Sequence, residues 1–186
     1  VSCAVSTLDE LSFADVPSTA WFKNAVDFVT ARNLFSGISA QSFAPDQSMN
    51  RGMLATVLYR LAGEPPVTGA VGFGDVPADQ YYANAVAWAA QNQVVSGITA
   101  SEFSPNAAIT REQLATILYR YSGSPAVSAS LDRFADASLV SEYAVTPLQW
   151  ATEQGIISGR GNGTLDPKGT ASRAEVAQML MNLVAK

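Results

Sequence analysis

A chain of 186 residues with 48% apolar content is long enough to bury the core of one domain or of a compact set of repeats. Its formal net charge of −5 argues against nucleic acid as a partner, because that footprint is a basic face, so any anionic ligand must be held by local charge. The absence of histidine and the single cysteine, Cys3, exclude a disulfide framework, a Cys/His zinc site and a histidine general base, and no cofactor is expected.

Residues 1–12 read as a leader segment with a weak helix signal in "LDEL" at Leu8 to Leu11. Nothing signal-like precedes Val1, so the chain is expected to be a processed form or an excised piece, and the single cysteine fits an exported protein. No apolar run approaches the roughly eighteen residues of a membrane span, so no membrane insertion is expected.

From Phe13 the chain repeats itself. "FADVPSTAWFKNAVDFVTARNLFSGISAQSFAPDQSMNRGMLATVLYRLAG" aligns without gaps to "FGDVPADQYYANAVAWAAQNQVVSGITASEFSPNAAITREQLATILYRYSG" from Phe73. A third copy opens at Phe134 with "FADASLVSEYAV" and needs an extra residue before Trp150 and another nearby. The copies are expected at 13–63, 73–123 and 134–186, joined by Pro/Gly/Ser-containing linkers at 64–72 and 124–133.

Each copy predicts a helix, a loop and a second helix, an all-α chain. The first helix carries Phe22, Ala25, Val26 and Val29 in copy one and Tyr82, Ala85, Val86 and Ala89 in copy two. Asn33 and Gly155 suit helix ends, glycine the better because it accepts the left-handed conformation. In copy three Thr146 and Pro147 read as an N-cap followed by a proline at the first helical position, so that helix is expected to start a few residues late. The second helices carry apolar residues at i, i+3, i+4, i+7: Leu54, Val57, Leu58, Leu61; Leu114, Ile117, Leu118, Tyr121; and Val176, Met179, Leu180, Leu183. A helical hairpin of this size cannot bury its own stripe, so neighbouring copies must cover it and the three should form one cooperative unit. Phe28, Trp88 and Trp150 share one position and read as packing residues rather than a sugar platform.

The second helices open on arginine. Asn50, Thr110 and Ser172 are preferred N-cap types, with Gln113 and Glu175 completing capping boxes in copies two and three. Arg51, Arg111 and Arg173 then fall at the first helical position, where the helix is already partly positive and prefers carboxylates. Three arginines there call for an anion, and exposed N–H groups of the same turn would add donors to it. Asp15, Asp75 and Asp136 could supply that anion internally as a structural clasp, or the arginines could face a groove and take a ligand carboxylate; both readings stay open.

The order F-x-D-V, an aromatic at the first helix start, a glycine, a loop ending F-x-P and T-R-A-E at the second helix resembles the S-layer homology repeat, three times over from Phe13 to Lys186. Copy three is closest, with "SGRGNGTLDP" and "SRAE"; copies one and two have "NRGM" and "TREQ" and lack the D-G-T of the loop, and copy three has Glu142 and Tyr143 where the family has its tryptophan. The resemblance implies a pseudo-three-fold helical triplet, non-catalytic and monomeric as a module, that anchors exported proteins to the bacterial cell wall. Its implied ligand is a secondary cell-wall polysaccharide with a pyruvate ketal on N-acetylmannosamine, bound in grooves between repeats. Arg51, Arg111 and Arg173 would meet the pyruvate carboxylate. Gly37, Gly97 and Gly159 would let backbone approach the sugar, and Asp15, Asp75 and Asp136 with Trp21, Tyr81 and Tyr143 would line the same grooves, Trp21 giving the best platform. An enzyme is disfavoured because no carboxylate pair is evident; a protein-interaction or lattice module, or a peptidoglycan binder, is the alternative.

Overall fold

In a computed structural model, residues 13–69 and 72–185 are described. The leader, with Cys3 and its weak helix signal, lies outside the described residues. Six α-helices follow in order: α1 (Lys23–Ala31), α2 (Arg51–Leu61), α3 (Ala83–Gln91), α4 (Arg111–Tyr121), α5 (Val145–Glu153) and α6 (Arg173–Val184). Two short 3-10 turns, Ala137–Leu139 and Glu142–Ala144, precede α5. No helix among the described residues is long and apolar enough to cross a membrane.

The apolar stripes are buried as their period predicts. Leu54, Leu58, Leu114, Leu118, Val176 and Leu180 are fully enclosed, while Leu61, Tyr121 and Leu183 sit at the core's edge. Trp88 and Trp150 are buried against Tyr59 and Tyr119 of the preceding copy, and Phe28 is half-buried under Arg32. Asn33 and Gly155 adopt the left-handed conformation just past α1 and α5, and the Leu34 N–H closes the α1 end on the Val29 carbonyl.

Two expectations are corrected. The helix α5 begins at Val145, in step with α1 and α3 once the extra residue is counted, and Thr146 does not cap it. Pro147 is its third residue, tolerated there because the first four N–H groups of a helix have no intrahelical acceptor. Nor do the two helices of a copy form a hairpin. Packing is between copies: α2 lies against α3, α4 against α5, and α6 against α1, with no close approach between the helices of one copy among the described residues.

The copies close on one another in a cycle. The Met49 N–H donates to the Ala171 carbonyl at 2.9 Å, Ala171 N–H to Ile109 at 3.0 Å, and Ile109 N–H to Met49 at 2.9 Å, a ring of three backbone hydrogen bonds. All three residues are fully buried. Each second helix then sends its first two N–H groups into the loop of the next copy: Arg51 and Gly52 to Ala107 and Pro105, Arg111 and Glu112 to Gly169 and Pro167, Arg173 and Ala174 to Gln47 and Pro45. The third N–H goes to the cap side chain of Asn50, Thr110 or Ser172, with full capping boxes in copies two and three. The first three N–H groups inside each second helix therefore have internal acceptors and are not available to an external anion, contrary to the expectation of exposed helix-end donors.

Candidate functional site

Arg51, Arg111 and Arg173 stand at the first position of α2, α4 and α6 and are buried, at 8%, 3% and 5% exposure. Each guanidinium reaches into the next copy and grips the two ends of its loop. Arg51 Nε donates to the Phe103 carbonyl at 2.8 Å and Nη2 to Ser96 at 2.7 Å. Arg111 does the same to Leu165 and Ser158, and Arg173, across the cycle, to Phe43 and Ser36. Arg51 and Arg173 also lie over the Phe103 and Phe43 rings at 4.5 and 4.7 Å, a cation–π contact that Leu165 cannot offer Arg111.

The aspartates hold the same loop residues from the other side. Asp15 accepts from the Phe43 and Ala44 N–H groups at 2.8 and 2.7 Å and from the Ser42 hydroxyl at 2.7 Å. Asp75 accepts from Phe103 and Ser104, and Asp136 from Leu165 and Asp166. These bonds support a strained turn, since Ala44, Ser104 and Asp166 all have positive φ. No direct ion pair joins any of the three aspartates to an arginine among the described residues. The internal clasp exists, but its acceptors are loop carbonyls, so the guanidinium charge is not neutralised by direct contact with these carboxylates. Burial lowers the pKa of Arg51 and Arg173, opposed by the charges of Asp75 and Asp15 respectively. Burial alone would raise Asp15 and Asp75, but their hydrogen bonds outweigh it and hold both carboxyls below the ordinary value.

Gly37, Gly97 and Gly159 approach their own loops closely. A Cβ on Gly97 would lie 2.3 Å from the Thr99 carbonyl oxygen and 2.6 Å from the Phe73 ring, and one on Gly37 would meet Ser39 and Phe13 at 2.4 and 2.5 Å. Gly159 is looser, at 2.8 Å from Thr164 and 3.1 Å from Phe134. The requirement for glycine is thus met inside the repeat, by the phenylalanine of the F-x-D motif.

Two cavities flank the arginines. One of about 250 Å³ is lined by Arg51 from copy one, Gly97, Gln113, Thr116 and Arg120 from copy two, and Tyr143 from copy three. A second, of about 300 Å³, has Arg111 from copy two, Gly159, Arg160, Glu175 and Asn182 from copy three, and Trp21 from copy one. Each groove thus draws its arginine, its loop and its aromatic from three different copies, so Trp21 belongs with Arg111 and Tyr143 with Arg51. Tyr81 pairs with Arg173 on the same scheme: burial raises its phenol pKa, and the neighbouring Arg60 and Arg173 charges oppose that. Trp21, Tyr81 and Tyr143 are 63%, 62% and 52% exposed. The aspartates sit behind the loop and are absent from the lining of both cavities.

The grooves differ in charge. Arg51 faces Arg120, and among the described residues its cavity has no carboxylate and its Nη1 no protein acceptor. Arg173 Nη1 is likewise without one among the described residues. Arg111 Nη1 lies 3.4 Å from Glu175, which also binds Arg160. Sequence reasoning missed Arg60 and Arg120, although the repeated "LYR" of copies one and two was a signal available for both.

Residues 12–52, 72–115 and 133–177 match the S-layer homology domain. The chain belongs to the S-layer homology family. Among curated relatives, the surface-layer 125 kDa protein of Lysinibacillus sphaericus is 32% identical over 86% of this chain and 14% of its own length. The amylopullulanase of Thermoanaerobacterium thermosulfurigenes is 26% identical over 94% of this chain and 10% of its own, and the S-layer protein of Bacillus thuringiensis subsp. finitimus 25% identical over 91% and 21%. The chain spans only about a tenth to a fifth of the length of these relatives, and the enzyme among them carries the S-layer homology part as a small, separate share. Membership makes this triplet a cell-surface module associated with the cell wall, a wall anchor in its coarse function.

Proposed function

We propose that the triplet is a non-catalytic anchor whose grooves hold an acidic saccharide of the wall, a pyruvate ketal on an N-acetylmannosamine unit of a secondary cell-wall polysaccharide. The observation that carries this reading is the Nη1 of Arg51. It is a donor on a buried guanidinium that, among the described residues, has no direct ion pair and no protein acceptor at this nitrogen, on the wall of a cavity of about 250 Å³ that also contains Arg120 and the half-exposed Tyr143 ring. A carboxylate entering there gains a charge-assisted hydrogen bond, while Tyr143 offers an apolar face to the pyranose. The cyclic hydrogen bonding supports a pseudo-three-fold arrangement, in which the Arg173 groove is a second site of the same type.

The Arg111 groove is the exception, because Glu175 already stands where the ligand carboxylate would go. Two such carboxylate-binding grooves on one monomeric module give weak single contacts and strong retention on a repeating polymer. Calorimetry with pyruvylated and depyruvylated disaccharide tests this: binding is expected to require the pyruvyl group, and equal affinity for the two would refute it.

A further inference from the structure

The two departures from the family pattern in copies two and three meet at one place. The second residue of each long helix faces the start of the next copy's first helix. In copy one it is Gly52, against which Tyr82 packs so closely that a Cβ would lie 3.1 Å from the Tyr82 ring. The equivalent pair in copies two and three is Glu112 and Ala144, a large residue against a small one, and Ala144 is fully buried. The exchange conserves volume and puts a carboxylate where copies one and three have glycine and alanine.

Glu112 is 3% exposed and is bound on every side. It accepts from the Ser141 N–H at 3.0 Å, the Ser141 hydroxyl at 2.9 Å, the Tyr143 phenol at 3.2 Å and Lys168 Nζ at 2.6 Å. Three of these donors belong to the rearranged stretch before α5, and the fourth to the copy-three loop. Burial alone would raise its carboxyl, but Lys168 and Ser141 outweigh that and hold it below the ordinary value, so it is ionised at neutral pH. Tyr143 in turn feels Glu112 on one side and Arg51 and Arg120 on the other; burial comes first and Glu112 second in raising its phenol pKa.

We propose that Glu112 is a positioning residue that fixes the Tyr143 ring in the wall of the Arg51 groove, so that the unusual helix start of copy two and the unusual turn of copy three form one device that sets the shape of a single groove. Its consequence for ligand binding rests on the acidic-saccharide reading above. The tethered phenol presents its face, with its hydroxyl already donating to Glu112, whereas among the described residues Trp21 and Tyr81 show no such hydrogen-bond tether and make edge contacts to Phe22 and Tyr82.

The test uses the whole chain with ring-labelled tyrosine and tryptophan, Tyr143 being assigned with Y143F. Nuclear magnetic resonance reads the Tyr143 titration without ligand, and then pyruvylated disaccharide binding at the Tyr143 ring and at the Trp21 indole. Glu112→Ala is expected to lower the Tyr143 pKa and to weaken binding read at Tyr143 about tenfold, with binding at Trp21 unchanged. Glu112→Gln, which keeps an acceptor but not the charge, is expected to lower the Tyr143 pKa while recovering most of the affinity, and it carries the pKa measurement should Glu112→Ala fail to fold. An unchanged Tyr143 pKa in the variants, or unchanged affinity at Tyr143 in Glu112→Ala, overturns the proposal. If neither ring responds to the saccharide in the unsubstituted chain, the acidic-saccharide reading fails and the Tyr143 titration alone decides the positioning role.

Discussion

The Arg51 and Arg111 grooves share one backbone plan and differ in who owns the arginine's last donor. Both guanidiniums clasp the two ends of the next loop, but among the described residues Arg51 Nη1 has no protein acceptor while Arg111 Nη1 faces Glu175. The copy that most resembles the family pattern in its loop and helix start thus places its own anion in the groove it lines, and the divergent "TREQ" copy places none among the described residues in the cavity beside Arg51. Gln113 and Met53 stand where Glu175 stands. A closer match to the motif therefore does not by itself mark the better site, because the capping-box glutamate serves the helix and the arginine at once.

The largest expected effect probes what the two grooves share. Arg51→Ala removes two buried charge-assisted hydrogen bonds and strands the Phe103 and Ser96 carbonyls, so urea unfolding should show a loss of about 3–5 kcal/mol. Arg111→Ala should lose a similar amount. Because the clasp and the ligand donor reside on one side chain, alanine replacement changes fold and binding together. Arg51→Lys, which retains the charge but cannot span both carbonyls, should recover only part of the stability.

Next comes the loop. Gly97→Ala forces a Cβ against the Thr99 carbonyl and the Phe73 ring and should cost about 3 kcal/mol, whereas Gly159→Ala, with a wider gap, should cost clearly less in the same unfolding assay. Acid titration should follow Asp15 and Asp75. The folded-state pKa values of these two are depressed, so their contribution is complete above the unfolded carboxyl value of about 3.9 and is lost as pH falls through the lower folded values. Thermal melts should therefore be flat from neutrality to about pH 5 in this respect and fall below about pH 4, with Asp75→Asn reducing that acid sensitivity.

The smallest stability effect carries the sharpest test of the comparison. Glu175→Gln keeps a capping-box residue of the type copy two already uses and an amide acceptor for Arg111 and Arg160 but loses both ion pairs, so stability should fall by about 1 kcal/mol. It removes the carboxylate beside Arg111, and titration followed by Trp21 fluorescence should then show an affinity for pyruvylated disaccharide increased by about fivefold or more. No gain there would mean that charge is not what separates the grooves.

Local features of this chain were legible in its sequence. The caps Asn50, Thr110 and Ser172, the arginines at the first helical position and the left-handed Asn33 and Gly155 all depend on a few adjacent residues. What escaped was the pairing of parts across copies. The stripe on α2 says that one face is buried, not that α3 covers it, and nothing local places Arg173 on the Phe43 carbonyl 130 residues earlier. For the same reason Trp21 could be recognised as an aromatic position but not assigned to Arg111, and Glu112 looked like a mere departure from a motif until the turn it holds was in view. The Thr146–Pro147 start misled because proline suits the whole first turn of a helix, and here the preceding 3-10 turn runs directly into α5.

The most direct measurement is a groove-resolved titration of the whole chain with pyruvylated and depyruvylated disaccharide, read at the Tyr143 ring and at the Trp21 indole. Binding at Tyr143 is expected to depend strongly on the pyruvyl group, and binding at Trp21 to depend on it little. Equal dependence at both rings, or none at Tyr143, would contradict this expectation.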